Sequence, residues 1–159
     1  MYVPVTYNNE PFFSEGLAVR FYRESGEDWV ANFKPGWAGF TTVIEFTASA
    51  NILVIAFGRC YIMDPDQLQP LAVFGIGYIK TFSTQDGRTV LQEQNDFTVV
   101  EPDGRFWHTV RISWDRLEEV RLDKNIITGL AFNVAYDDGE WSRFYYNIDT
   151  KELINGSYP

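Results

Sequence analysis

Two-residue alternation of apolar and polar residues and short apolar runs recur along the chain, punctuated by turn-forming residues. Leu17–Tyr22, Trp29–Phe33, Thr42–Phe46, Ile52–Phe57 and Cys60–Met63 carry the pattern first. Leu71–Phe74, Tyr78–Phe82, Thr89–Glu93, Phe97–Val100 and Phe106–Ile112 continue it, and Val120–Leu122, Ile126–Phe132, Trp141–Ile148 and Glu152–Ile154 complete it. The breaks have mechanism. Asp86-Gly87 and Asp138-Gly139 supply the positive φ angles of tight hairpins, Pro102-Asp103-Gly104 suits a type I turn, and Pro35-Gly36 suits a type II turn. Strands of this length and spacing predict an all-β, antiparallel fold of roughly 10 to 14 short strands.

One segment also fits a helix. Asp115 can cap a turn that Glu118 closes as a capping box, with Leu117 and Val120 on one face. The alternation of Val120 and Leu122 with Glu119 and Arg121 favours a strand there. Helix is expected to be scarce or absent, with Asp115–Val120 the place for any.

Two stretches share a pattern. Ile52–Asp66 reads ILVIAFGRCYIMDPD and Thr89–Asp103 reads TVLQEQNDFTVVEPD, an offset of 37 residues (52 to 89). Each is a strand, a two-residue break at Gly58-Arg59 or Asn95-Asp96, a second strand, and a turn of acidic residue, Pro and Asp. A fainter echo runs from Tyr146 to Leu153. Weak repeats of several strands fit repeated meanders, arranged as propeller-like blades, a sandwich or a barrel. The whole chain, residues 1–159, reads as a single domain whose first 15 residues form an irregular N-terminal arm.

Composition sharpens the β reading: 13 Phe, 9 Tyr and 5 Trp make 17% aromatics, and such rings fit a pleated surface better than a helix. The formal charge of −9 and the absence of a Lys/Arg cluster exclude a phosphate-backbone binder, so no nucleic-acid partner is expected. A basic protein surface would complement that charge. Cys60 is the single cysteine, in an apolar run, and reads as a small buried hydrophobe in a cytoplasmic protein. No apolar stretch is long enough to span a membrane, and the N-terminus has neither the basic region nor the long apolar run of a signal peptide. Unpaired strand edges would permit a homodimer as readily as a monomer.

Candidate chemistry is thin. His108 is the only histidine; its neighbours alternate faces, which turns it outward while Trp107 and Thr109 point the other way. No serine or cysteine sits in a nucleophile motif, and one Cys with one His cannot build a tetrahedral metal site. The loop carboxylates Asp64/Asp66, Glu101/Asp103 and Asp137/Asp138/Glu140 resemble calcium ligands in type only, and they suit turn chemistry better. Gly75-Ile76-Gly77-Tyr78 lacks the third glycine and the helix of a phosphate loop and reads as a bend between strands. No cofactor, metal or catalytic residue is therefore expected.

The aromatics remain. Trp37 and Phe40 lie in the glycine-flanked stretch DWVANFKPGWAGF, and Trp141 follows a turn beside Asp137, Asp138 and Glu140. Rings on loops anchor partners, and rings at the ends of strands close cores; both roles fit. The expected function is non-catalytic protein binding of the immunity or adaptor type, with Trp37, Phe40, Trp141, Asp137, Asp138 and Glu140 at the surface used. A carbohydrate-binding module and a carboxylate-dependent hydrolase are the alternatives, the latter requiring two converging carboxylates.

Overall fold

A computed structural model of the chain describes residues 1–134 and 139–159. Among them lie fifteen β-strands and a single 3₁₀ turn, gathered in four sheets, none of which closes into a barrel. The chain divides into two units, Met1–Ile79 with Pro102–Gly104 and Lys80–Glu101 with Arg105–Pro159.

The first unit contains β1 (Tyr2–Val5), β2 (Leu17–Tyr22) and β3 (Asp28–Phe33) in the order β1-β3-β2. Its second sheet is the antiparallel meander β4 (Thr42–Glu45), β5 (Ile52–Ala56), β6 (Arg59–Met63) and β7 (Ala72–Phe74). Val5, Phe21, Trp29, Ala31 and Phe33 of the first sheet pack with Val54, Ala56, Tyr61 and Met63 of the second. Phe21 stacks on Trp29 at 4.9 Å, and Phe33 meets Tyr61 at 4.9 Å. Both polar ring ends are satisfied, as burial of such rings requires. Trp29 Nε1 donates to the Pro65 carbonyl at 2.8 Å, and the Tyr61 hydroxyl donates to the Lys34 carbonyl at 2.7 Å.

In the second unit, β8 (Lys80–Ser83), β9 (Thr89–Gln92), β10 (Phe97–Val100) and β11 (Phe106–His108) form one antiparallel meander. A second comprises β12 (Leu117–Asp123), β13 (Ile126–Asn133), β14 (Glu140–Asn147) and β15 (Glu152–Ile154). Val90, Phe97 and Val99 share a core with Ile127, Ala131, Phe144 and Tyr146. The stretches Ile52–Asp66 and Thr89–Asp103 supply the middle hairpins, β5–β6 and β9–β10, of two meanders. These four strands are buried along nearly their whole length. That is why they read as continuous apolar runs where an edge strand such as β2 alternates.

Three expectations need correction. The arm is not irregular throughout: Tyr2–Val5 pairs with Val30–Phe33, the one parallel pairing among the described strands of an otherwise antiparallel fold. Pro4 hides the strand in the sequence, yet β1 is an edge strand, where a missing N–H costs no ladder bond. Asp115–Val120 follows the strand reading that its alternation favours: Leu117–Asp123 is a strand with an irregularity between Glu118 and Arg121, where Glu119 takes φ 51°. The little 3₁₀ structure sits at Tyr7–Asn9 instead. Finally, β11 stops at His108 because Ile112 and Ser113 donate their N–H groups to the Asn95 carbonyl, which pulls the chain off the ladder. His108 is exposed and Thr109 buried, in keeping with the alternation, and Cys60 is fully buried. No helix among the described residues is long and apolar enough to cross a membrane.

Candidate binding site

The segment between β3 and β4 carries Trp37, and two physical facts about it pull in opposite directions. Its side chain is 86% exposed, which leaves a large apolar ring in water. Its backbone is pinned on both sides. Gly36 N–H donates to Ala56, Trp37 N–H to Ile76, and Ala38 N–H to Phe57, while Phe40 accepts from Gly58 N–H, all at 2.8–3.0 Å. The loop therefore lies strapped across the β5–β6 turn and holds its ring outward without further ordering.

Glycine at position 36 is what permits this closeness. Gly36 has no positive φ, so the expected type II turn at Pro35-Gly36 does not form. A Cβ there would stand 2.5 Å from the Ile76 carbonyl oxygen, 2.6 Å from that of Phe57 and 2.7 Å from the Arg59 nitrogen.

Phe57 is the ring the sequence does not reveal. The hairpin break falls at Phe57-Gly58 rather than Gly58-Arg59, with φ of 50° and 85°. A two-residue turn with both φ values positive normally takes Asn, Asp or Gly, and a bulky residue in that region is strained. Phe57 is 42% exposed and shares a cleft of about 590 Å³ with Trp37, Pro35 and Glu15. The sequence does hold a signal: an aromatic residue occupies a tight hairpin turn. Replacing Phe57 by Asn, which tolerates the left-handed region, is expected to raise stability by about 1 kcal/mol, measured by urea unfolding. A fall in stability would mean the ring is needed for the fold.

The other anticipated residues divide. Phe40 is half-buried and belongs to the strapped loop. Trp141 and Glu140 open β14 in the other unit, and Asp137 and Asp138 lie outside the described residues. Trp141 is half-buried, tilted against Phe132 at 4.9 Å, with the Arg116 guanidinium 5.2 Å from its ring. Arg116 also covers Phe132 at 4.9 Å and pairs with Glu118 at 3.1 Å. Trp141 is thus part of a packed cation–aromatic layer. Among the described residues none covers the Trp37 ring in this way.

The acidic pairs serve turns. Asp64 accepts from Asp66 N–H at 2.9 Å and from Gln67 Nε2 at 2.7 Å, Asp66 accepts from Glu24 N–H, and Glu101 accepts from Trp107 Nε1 at 2.9 Å. Among the described residues, no group of three or more His, Cys, Asp or Glu gathers to hold a metal ion. Burial pushes the Asp96 carboxyl up, and the charges acting on it are His108 and Arg111 rather than a second carboxylate.

A further polar cluster lies in the second unit, where Arg88 Nη2 stands 2.7 Å from both Asp86 and Asp149. Hydrogen bonds from Arg88 and then Thr84 hold Asp86 below the usual carboxylate range; bonds from Asn125 and then Arg88 do the same for Asp149. A folded-state pKa below the unfolded one adds stability above the unfolded value, and that stability is lost as pH falls through the folded one. Arg88→Met is therefore expected to make both carboxyls titrate at higher pH, read by carboxyl-carbon NMR. Unchanged titration would show that the guanidinium does not hold them.

No protein-family model matches the chain, and no curated protein matches its sequence at a significant level.

Proposed function

We propose that the chain is a non-catalytic protein-binding protein of the immunity or adaptor type, which anchors a basic partner through the Trp37 loop. The observation that carries this reading is the pairing of an 86% exposed tryptophan with a backbone hydrogen-bonded on both sides. Binding normally spends free energy on ordering interface side chains and loops, and a pre-ordered loop avoids most of that cost. Tryptophan is among the residue types that dominate interface energetics, and strain at Phe57 beside it is the kind of local cost that persists at functional sites. The formal charge of −9 and Glu15 at the edge of the cleft favour a cationic partner, drawn in by long-range attraction. A cytoplasmic setting agrees with a chain whose single cysteine, Cys60, is buried, and the protein acts as a monomer or homodimer.

Tagged wild type and Trp37→Ala, used side by side as baits in a lysate of the source cell, test the reading. A basic protein is expected on the wild type alone, and its purified form is expected to bind the variant about 30-fold more weakly, corresponding to the 2 kcal/mol typical of a hot spot. Stability should change by no more than about 0.5 kcal/mol, because the ring touches solvent. Identical proteins on both baits would remove the reading. A Trp fluorescence change with oligosaccharides, absent in Trp37→Ala, would assign the ring to sugar stacking.

A further inference from the structure

A second concave site in the first unit is built from charges rather than rings. Tyr7, Glu10, Lys34, Arg59, Val73 and Ile76 line a cleft of about 390 Å³. Its construction follows from the parallel edge strand. The ladder between β1 and β3 extends by one bond, Lys34 N–H to the Val5 carbonyl at 3.0 Å. The chain then folds back through Asn8 and Asn9, at φ 52° and 55°, where asparagine is tolerated better than most residues. Thr6 Oγ1 donates to the Glu10 carbonyl at 3.0 Å, and Glu10 N–H donates to the Tyr7 carbonyl at 3.2 Å, which fixes the reversal. Glu10 is thereby carried to 2.9 Å from Lys34 Nζ and 3.8 Å from Arg59 Nη1.

The charges in this cleft do not balance: two cations face one carboxylate. Lys34 holds Glu10 at hydrogen-bond distance, and the 3.8 Å to Arg59 is too long for one. The Arg59 side chain is only 15% exposed, and its Nε is buried without a hydrogen-bond partner. Tyr61 gives Arg59 a neutral hydrogen-bond partner and no countercharge, because burial raises its pKa and its hydroxyl donates to the Lys34 carbonyl. A guanidinium withdrawn from water with its Nε–H unused is costly unless an acceptor arrives, and its planar fork matches carboxylate and phosphate oxygens. In a chain of net charge −9, a concave spot with a cationic excess stands out from the general field.

We propose that this cleft binds an oxyanion, a carboxylate or phosphate monoester, carried on an apolar body. Arg59 and Lys34 take the anion, and Val73 and Ile76 flank the body. Glu10 competes with the ligand for both cations. The site stands independently of the Trp37 loop and survives the failure of that reading.

Benzoate, phenyl phosphate, benzyl alcohol and benzylamine, titrated into the full chain to about 10 mM, test it, the range being that of weak millimolar binding. The readouts are the Arg59 Nε–H and Ile76 amide signals in proton–nitrogen NMR spectra. One or both anions should shift these signals saturably, and the alcohol and amine should not. The tighter of the two anions distinguishes a phosphate source from a carboxylate source. Arg59→Met should weaken binding at least about tenfold, in line with loss of a charge-assisted pair. Glu10→Gln, on the exposed rim, should tighten binding severalfold, a gain that a structural role for Glu10 would not produce. Absence of any anion-induced shift at Arg59 Nε–H, equal shifts from benzyl alcohol, or unchanged affinity in Glu10→Gln would each overturn the proposal.

Discussion

Trp29→Ala is expected to lower the unfolding free energy by about 3–5 kcal/mol, the range for removing a buried large ring. Trp29 is 1% exposed, stacks on Phe21 at 4.9 Å and lies within the packed layer between the two sheets of its unit. Truncation would open a cavity lined by Phe21, Ala31 and other apolar side chains that are themselves fixed by strand pairing, so collapse is limited. It would also leave the Pro65 carbonyl without the indole donor now 2.8 Å away. Set against a typical total of about 5–15 kcal/mol, that loss is a large share. Urea titration measures it; a loss below about 1.5 kcal/mol would mean that the ring is not a centre of this core.

Gly36→Ala is the second large effect, and it separates loop geometry from ring identity. The added Cβ meets three backbone atoms at 2.5–2.7 Å, and none can swing away as a side-chain end would. Either the Trp37 segment lifts off the β5–β6 turn or the turn deforms, at the roughly 1–3 kcal/mol cost of overpacking. The hydrogen bonds from Gly36, Trp37 and Ala38 N–H then stretch, and the ring loses its fixed presentation. Stability and partner binding should fall together in Gly36→Ala, whereas Trp37→Ala should lose binding alone. Thermal unfolding with amide exchange at Trp37 and Ala38 reads both. Full stability and unchanged protection in Gly36→Ala would show that the loop is not strapped as described.

Strand positions were legible where the physics is local. Leu17–Tyr22, Phe97–Val100 and Glu152–Ile154 coincide with β2, β10 and β15, because alternation, a short apolar run and flanking turn residues all act within a few positions. β1 was not legible: Tyr2–Val5 is short, contains Pro4 and owes its strand geometry to a partner far along the chain. The Asp115–Val120 ambiguity is likewise settled at a distance, by pairing of Leu117 and Glu118 with Ala131 and Leu130.

The same division governs the sites. Trp37 could be singled out from its glycine neighbours, since glycine signals close approach, although the approach rather than a turn is the reason here. Phe57 was hidden by a one-residue difference in where the hairpin turns. The Glu10, Lys34 and Arg59 cluster required knowing that β1 runs parallel to β3. Its one local trace is an arginine inside the otherwise apolar run from Ile52 to Met63.

Photo-crosslinking from position 37 puts partner binding by the Trp37 loop to the test. Benzoylphenylalanine placed at Trp37 is compared with the same probe at Phe13, which is 95% exposed and so controls for exposure alone. An adduct with one basic protein is expected from position 37 and none from position 13. Equal labelling from both positions, or no adduct from position 37, would contradict partner binding by the loop.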